Sequence, residues 1–191
     1  MVLVSQAELV AGAIAGKVVS FPTDTVPALA VKPELGERIY QLKQRSAKKP
    51  LILLGSSLDD LLPYIKYSNS ELAAWQNVVG QHLPGALTLV LPASDKVPPV
   101  INSTESNTVG IRIPNCQAAI EILKQTGVLA TSSANISGQD TLRTRVAIES
   151  AFNSVLVLDN MDLFPGSGQA STVALWHDWQ WKIIRQGKIV I

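Results

Sequence analysis

Short apolar runs alternate with amphipathic stretches along this chain, and the alternation predicts strands and crossover helices in turn. Ser5, Gln6, Ala7 and Glu8 form a capping-box pattern ahead of an amphipathic helix that closes at Gly16. A buried strand is expected at 18–21 and a second at 28–31, with the polar knot Thr23, Asp24 and Thr25 between them. Leu35, Ile39 and Leu42 lie on one face of a helix over 35–44. "PLILLG" reads as a short strand, and 58–64 and 71–79 read as helices. Strands follow at 86–91 and 108–113, then a helix over 118–127 closed by Gly127, then a strand at 128–130. A helix over 145–152 and an extended 154–159 precede a tail of three strands, "STVAL", "WKIIR" and "KIVI". The mixture argues for one α/β domain over 1–191, built on a twisted mixed sheet with flanking helices.

Composition changes this picture little. At 191 residues, 47% hydrophobic and 16% charged, the chain is globular and long enough for one buried core. The net charge of +1 supplies no global pull toward nucleic acid or membrane. Cys116 stands alone, which excludes an internal disulfide and a cysteine-based zinc cluster. The N-terminus lacks a basic leader, and no apolar run has transmembrane length, so a cytoplasmic protein is expected.

Four clusters carry chemistry. Between Lys32 and Lys49 six basic residues face two acidic ones. Lys43 and Arg45 fall where the helical pattern gives out, and in an extended tail both would point at one anion. The plainer reading is a solvated helix end. "ATSSANISG" (130–138) gathers hydroxyls and an amide at a strand end, either as a neutral anion cradle or as an ordinary turn. Arg112 interrupts an apolar strand, where a guanidinium needs a carboxylate, a ligand or an open solvent face. "ASTV" and "IIRQG" repeat the theme of hydroxyl and arginine at strand ends. His82 and His177 have no His, Cys or Glu neighbour at ligand spacing, and no Walker or Rossmann glycine motif is present. Cations, hydroxyls and amides remain, groups that bind anions and position substrates.

Taken in order, "SFPTDTV", "LKQRSAKKPL", "LPGALTLVLP", "TVGIRIP", "ATSSANISG", "ASTV" and "IIRQG" resemble the YrdC-like family of threonylcarbamoyl-AMP synthases over nearly the whole chain. The resemblance implies an α/β sheet around a large concave basic cavity. It implies a nucleotidyltransferase that makes threonylcarbamoyl-AMP and pyrophosphate from L-threonine, bicarbonate and ATP with Mg2+. That product feeds N6-threonylcarbamoyladenosine modification of tRNA through further transfer machinery. By the same resemblance Thr25, Arg112, Thr131 and Ser171 hold threonine. Lys43 and Arg45 match the family's catalytic K-x-R at the ATP phosphates. Lys49, Thr108, Ser133, Asn135, Thr141 and Arg185 fall on nucleotide-site positions. Pro27 and Ala28 depart from the family's Tyr-Gly, and Ala86 stands where a proline is common. The alternative is a non-catalytic paralogue that grips tRNA or double-stranded RNA through the basic concavity.

Overall fold

Serine side chains begin several of the helices, at Ser5 as the sequence pattern predicts and at Ser57 and Ser68 besides. Ser5, Ser57 and Ser68 each accept from the backbone of the residue three ahead, and the acid there reaches back. The computed structural model describes residues 3–104 and 107–191. Its first half runs β1 (Leu3–Val4), α1 (Gln6–Ile14), β2 (Val19–Phe21), β3 (Ala28–Val31), α2 (Glu37–Lys43) and β4 (Ile52–Leu54). Next come α3 (Leu58–Leu61), α4 (Asn69–His82), β5 (Leu87–Pro92), β6 (Thr108–Arg112) and α5 (Gln117–Thr126). Last are β7 (Leu129–Ser133), α6 (Arg145–Ala151), β8 (Leu156–Leu158), β9 (Thr172–His177) and β10 (Gln180–Arg185).

The ten strands of the described residues form one sheet in the order β1-β8-β2-β3-β7-β4-β6-β5-β9-β10. Parallel pairs (β4 with β6, β5 with β9) are interleaved with antiparallel ones (β3 with β7, β4 with β7, β5 with β6), so the sheet is mixed. Strand periodicity then sorts the side chains. Along β5, Leu87, Leu89 and Leu91 enter the core while Thr88 and Val90 face the opposite side. Along β6, Val109 and Ile111 are core, and Thr108, Gly110 and Arg112 share the other face.

Several expectations move. The 35–44 helix is shorter, α2 being preceded by a 3₁₀ turn at Pro33–Leu35, and 58–64 likewise divides into α3 and a 3₁₀ turn at Leu62–Tyr64. Pro33 and Pro63 sit in the first turns of these short elements, where a missing N–H costs nothing. The strand expected at 128–130 extends to Ser133, because β7 is paired on both sides, with β3 and β4. "KIVI" makes no strand. The Ile189 carbonyl is taken by the Thr172 hydroxyl and the Gln186 amide, so it joins no ladder. β1 is too short to show a pattern in sequence, and only its pairing with β8 defines it.

Candidate active site

The polar knot closes the β2–β3 hairpin, whose last register pair is Phe21 and Ala28. Thr23 and Thr25 are both buried there. The Thr23 hydroxyl donates to the Val26 carbonyl at 2.7 Å and accepts the Thr25 N–H at 3.2 Å. Its one proton is thereby spent, so the 3.0 Å contact between the two hydroxyls runs from Thr25 to Thr23. The Thr25 oxygen in turn accepts an N–H from Arg112 Nη1 at 2.8 Å. A strap from the segment before β9 locks the knot from outside. Ser167 N–H donates to the Asp24 carbonyl and Gly168 N–H to that of Thr25. Gly166 is required for this approach, since a Cβ there would lie 2.4 Å from the Thr25 carbonyl oxygen and 2.6 Å from that of Thr23.

Arg112, at the end of β6, is 5% exposed, which removes the solvent-face reading. Its Nε donates to the Gly85 carbonyl at 3.0 Å and its Nη2 to Asp24 Oδ1 at 2.6 Å. The carboxylate that a strand-buried guanidinium needs is therefore internal. Sequence reading named Asp24 only as part of the knot and missed this pairing. With Thr25, three of the five guanidinium N–H groups are used, leaving one on each terminal nitrogen. Burial and the nearby Arg185 lower the Arg112 pKa from the ordinary arginine value, and Asp24 opposes them.

Lys43 and Arg45 do not share a direction. Gln44 caps α2 in the left-handed region at φ 50°, so the extended geometry expected for this tail is absent. Lys43 turns inward and is 1% exposed. Its ammonium donates to the Ser133 carbonyl, to the Asn135 carbonyl at 2.6 Å and to Asn135 Oδ1 at 3.0 Å. Three donors meet three acceptors. Burial, with a smaller push from Arg45, lowers its pKa to about 7. Ser133 donates to the same Asn135 oxygen, and the Asn135 amide donates to the carbonyls of Ile136 and Gln139. Lys43 thus sits behind the Ser133–Asn135 turn as its internal brace. Arg45 turns outward, tethered to the Lys49 and Pro50 carbonyls at 3.1 and 3.2 Å.

A β-bulge does for Arg185 what the helix end does for Arg45. The β9–β10 register slips between Ile183 and Arg185, so Arg185 pairs with Val173 and joins its face. Arg185 then donates to the Ser171 carbonyl (3.0 and 2.9 Å) and hydroxyl (3.2 Å), and Ser171 in turn contacts Thr88 Oγ1 at 2.8 Å. Trp176, which lines the same side, meets Trp75 and Trp179 edge to face and Trp181 at a tilt, so the four tryptophans form one cluster at this hairpin.

These side chains face one cavity of about 810 Å³, at the upper end of the range for small-molecule sites. Ten of the twelve residues singled out from sequence line it: Thr25, Arg45, Lys49, Thr108, Arg112, Thr131, Ser133, Thr141, Ser171 and Arg185. Lys43 and Asn135 do not, being the brace and the centre of the turn. Lys48, Thr88, Leu54 and Gly110 also line the cavity and were not singled out. Thr88 was legible, as the one polar residue out of phase with the leucines of β5. Among the described residues the lining carries five cations and no carboxylate. Among the described residues no group of three His, Cys, Asp or Glu side chains converges to hold a metal ion, and no helix is long and apolar enough to cross a membrane. A magnesium ion would suit this lining only as part of a phosphate-bound substrate, since among the described residues the lining offers hydroxyl and amide oxygens but no carboxylate to hold it.

An α/β sheet with a cationic, hydroxyl-rich concavity suits small anionic ligands. Residues 14–187 match the Sua5/YciO/YrdC family, described as "Telomere recombination", and the chain belongs to that family. It is 32% identical over 152 residues to a threonylcarbamoyl-AMP synthase of Hydrogenovibrio crunogenus, covering 75% of this chain and 78% of that protein. It is 35% identical over 148 residues to the enzyme of the same name from Mannheimia succiniciproducens, covering 75% and 80%. Among solved structures, P. abyssi Sua5 complexed with L-threonine superposes with a TM-score of 0.84 at 28% identity. The match takes in 96% of this chain and 55% of that one, so this chain spans about half the length of the P. abyssi protein. E. coli YciO, at 21% identity and a TM-score of 0.81 over 96% of this chain, shares the fold.

Proposed function

We propose that the protein is an L-threonylcarbamoyl-AMP synthase. The observation that carries this reading is the division of one cavity into two unlike ends. At one end Thr25, Arg112, Thr88 and Ser171 surround a small polar volume with two free guanidinium N–H groups. At the other, Arg45, Lys48 and Lys49 offer charge beside the Ser133 turn, and Arg185, hydrogen-bonded to Ser171 and near enough to perturb both Arg45 and Arg112, stands between the two ends. The first suits the carboxylate of an amino acid and the second a polyphosphate. The threonine nitrogen and bicarbonate condense to a carbamate at the junction, the C–N bond replacing a C–O bond with loss of water and a proton, and the carbamate oxygen attacks the α-phosphorus of ATP. The P–O bond to pyrophosphate breaks, and Arg45 and Arg185 stabilise the charge that leaves with it. Thr131, Thr108, Thr141 and Lys49 position the nucleotide and the amino acid around that line of attack. Magnesium enters with ATP and screens its phosphates. The product then serves tRNA modification through partner proteins.

The test is pyrophosphate release by the purified protein that requires both threonine and bicarbonate. Release independent of either substrate overturns the synthase reading, and none at all beside tight RNA binding leaves the non-catalytic RNA-binding alternative. Arg45→Ala should raise the ATP KM and lower kcat together, by about tenfold or more in kcat/KM, while the unfolding midpoint stays within about 2 °C of wild type. The reason is that Arg45 is half-buried and tethered only to two carbonyls. A normal rate or an unfolded variant removes Arg45 from the ATP end.

Pro27 and Ala28 line the threonine end where the family pattern has Tyr-Gly. Ala28 is an ordinary β3 residue, paired with Phe21 and Ser133, and the Pro27 carbonyl accepts Ala134 N–H at 2.9 Å. Neither residue has a positive φ that only glycine would tolerate. The natural sequence is therefore expected to be active. A Pro27→Tyr/Ala28→Gly double variant should shift the threonine-over-serine kcat/KM ratio upward by about three- to tenfold, through the added wall. An inert natural protein beside an active double variant would mark a lost activity.

A further inference from the structure

The cations of the cavity differ in one respect that their positions alone do not reveal. Among the described residues Arg45, Lys48, Lys49 and Arg185 have no carboxylate at ion-pair distance. Arg45 and Arg185 lean on uncharged oxygens. Arg112 alone is paired, with Asp24 at 2.6 Å, and the two side chains are only 6% and 16% exposed. Asp24 itself stays off the cavity wall. It is held behind the guanidinium by Asn115 N–H, which donates to the same Oδ1 at 3.1 Å, and by Ser167 N–H on its carbonyl.

A neutralised guanidinium and a bare one select different ligands. The attraction of a polyphosphate scales with net charge, and a buried aspartate behind the arginine cancels it and repels every further negative charge. A zwitterionic amino acid has no net charge to lose, and it gains from directed hydrogen bonds to a fork held in place. We infer that Asp24 sorts the two anionic ligands of this cavity: it cancels the charge of Arg112 while fixing its fork, which closes that end to polyphosphate and leaves it to a carboxylate. The inference rests on the reading above that the Arg112 end takes threonine.

Calorimetric binding of L-threonine, without ATP or bicarbonate so that nothing turns over, tests it. Inorganic tripolyphosphate at a concentration that saturates the wild-type protein should change the threonine Kd less than about twofold. Asp24→Asn keeps an oxygen for Arg112 and Asn115 and removes the charge. In that variant the same tripolyphosphate should raise the apparent threonine Kd at least about tenfold, with threonine affinity alone within about threefold of wild type. Equal competition in the two proteins overturns the inference. A second measurement needs no variant. Raising salt from about 50 to 300 mM should leave the wild-type threonine Kd within about twofold while weakening tripolyphosphate about tenfold or more. A threonine Kd that rises with salt as steeply as the polyphosphate's overturns the inference too. A wild-type protein that binds no threonine sinks the functional reading, and this inference with it. A protein that binds threonine but shows no difference on Asp24→Asn sinks only the sorting role.

Discussion

Arg112→Lys should raise the threonine KM about 30- to 100-fold and leave the ATP KM within about threefold. The guanidinium holds Gly85, Thr25 and Asp24 with three N–H groups and still has one on each terminal nitrogen for a ligand. A lysine ammonium has three donors from a single point, and Asp24 would take the best of them. What remains cannot grip a carboxylate at two points. The fold should survive, because the buried aspartate keeps a cationic partner. Arg112→Ala is the harsher change. It leaves Asp24 buried and uncompensated, with an expected stability loss of about 3–5 kcal/mol. Equal increases in both KM values for the lysine variant would show that Arg112 serves only the packing of the knot.

Lys43→Met should abolish most turnover and also lower stability by about 2–4 kcal/mol, a combination not expected of Arg45→Ala. Methionine matches the length of the stem, but the carbonyls of Ser133 and Asn135 and the Asn135 side-chain oxygen all lose their donor. Ser133 then drifts from the cavity wall, and ATP affinity goes with it. The pH dependence has a definite sign. The folded-state pKa of about 7 lies below the ordinary 10.5, so between those values the unfolded chain holds a proton the folded chain has released. The contribution of this site to stability therefore rises with pH across that window, and it is smallest below about 7. Unfolding midpoints of wild type and Lys43→Met should diverge as pH climbs from 7 toward 10. Parallel profiles would mean that Lys43 does not titrate there.

Local structure was largely readable from residues, and the assembly of the site was not. The serine caps, Gly127 behind α5 and the two-residue period of β5 and β6 follow from near neighbours. Motif order pointed to ten residues that the cavity does gather. The fate of Lys43 and Arg45 hung on one left-handed residue, Gln44, and glutamine gives no warning of that conformation. Arg185 reaches the cavity because a bulge flips it, and an extra residue in "WKIIR" looks like any other strand residue. Asp24 and Arg112 lie 88 positions apart, and nothing in either neighbourhood names the other. Charge pairing across a sheet belongs to topology, and only a folded chain displays it.

The order of the strands also sets when the protein becomes competent. β5 waits for β9, β2 waits for β8, and the knot waits for the strap at 166–168. Such long-range pairings make for slow folding, since much of the chain must be ordered before the contacts that reward it form. During synthesis the emerging chain has Thr25, Arg45 and Arg112 long before Ser171 and Arg185 leave the ribosome. Until then the β5 edge awaiting β9 stands open, an unpaired strand exposed to other nascent chains. Substrates offer no help at that stage, because neither end of the cavity is complete. Only the arrival of residues 156–185 turns a half-built sheet into something a ligand can stabilise.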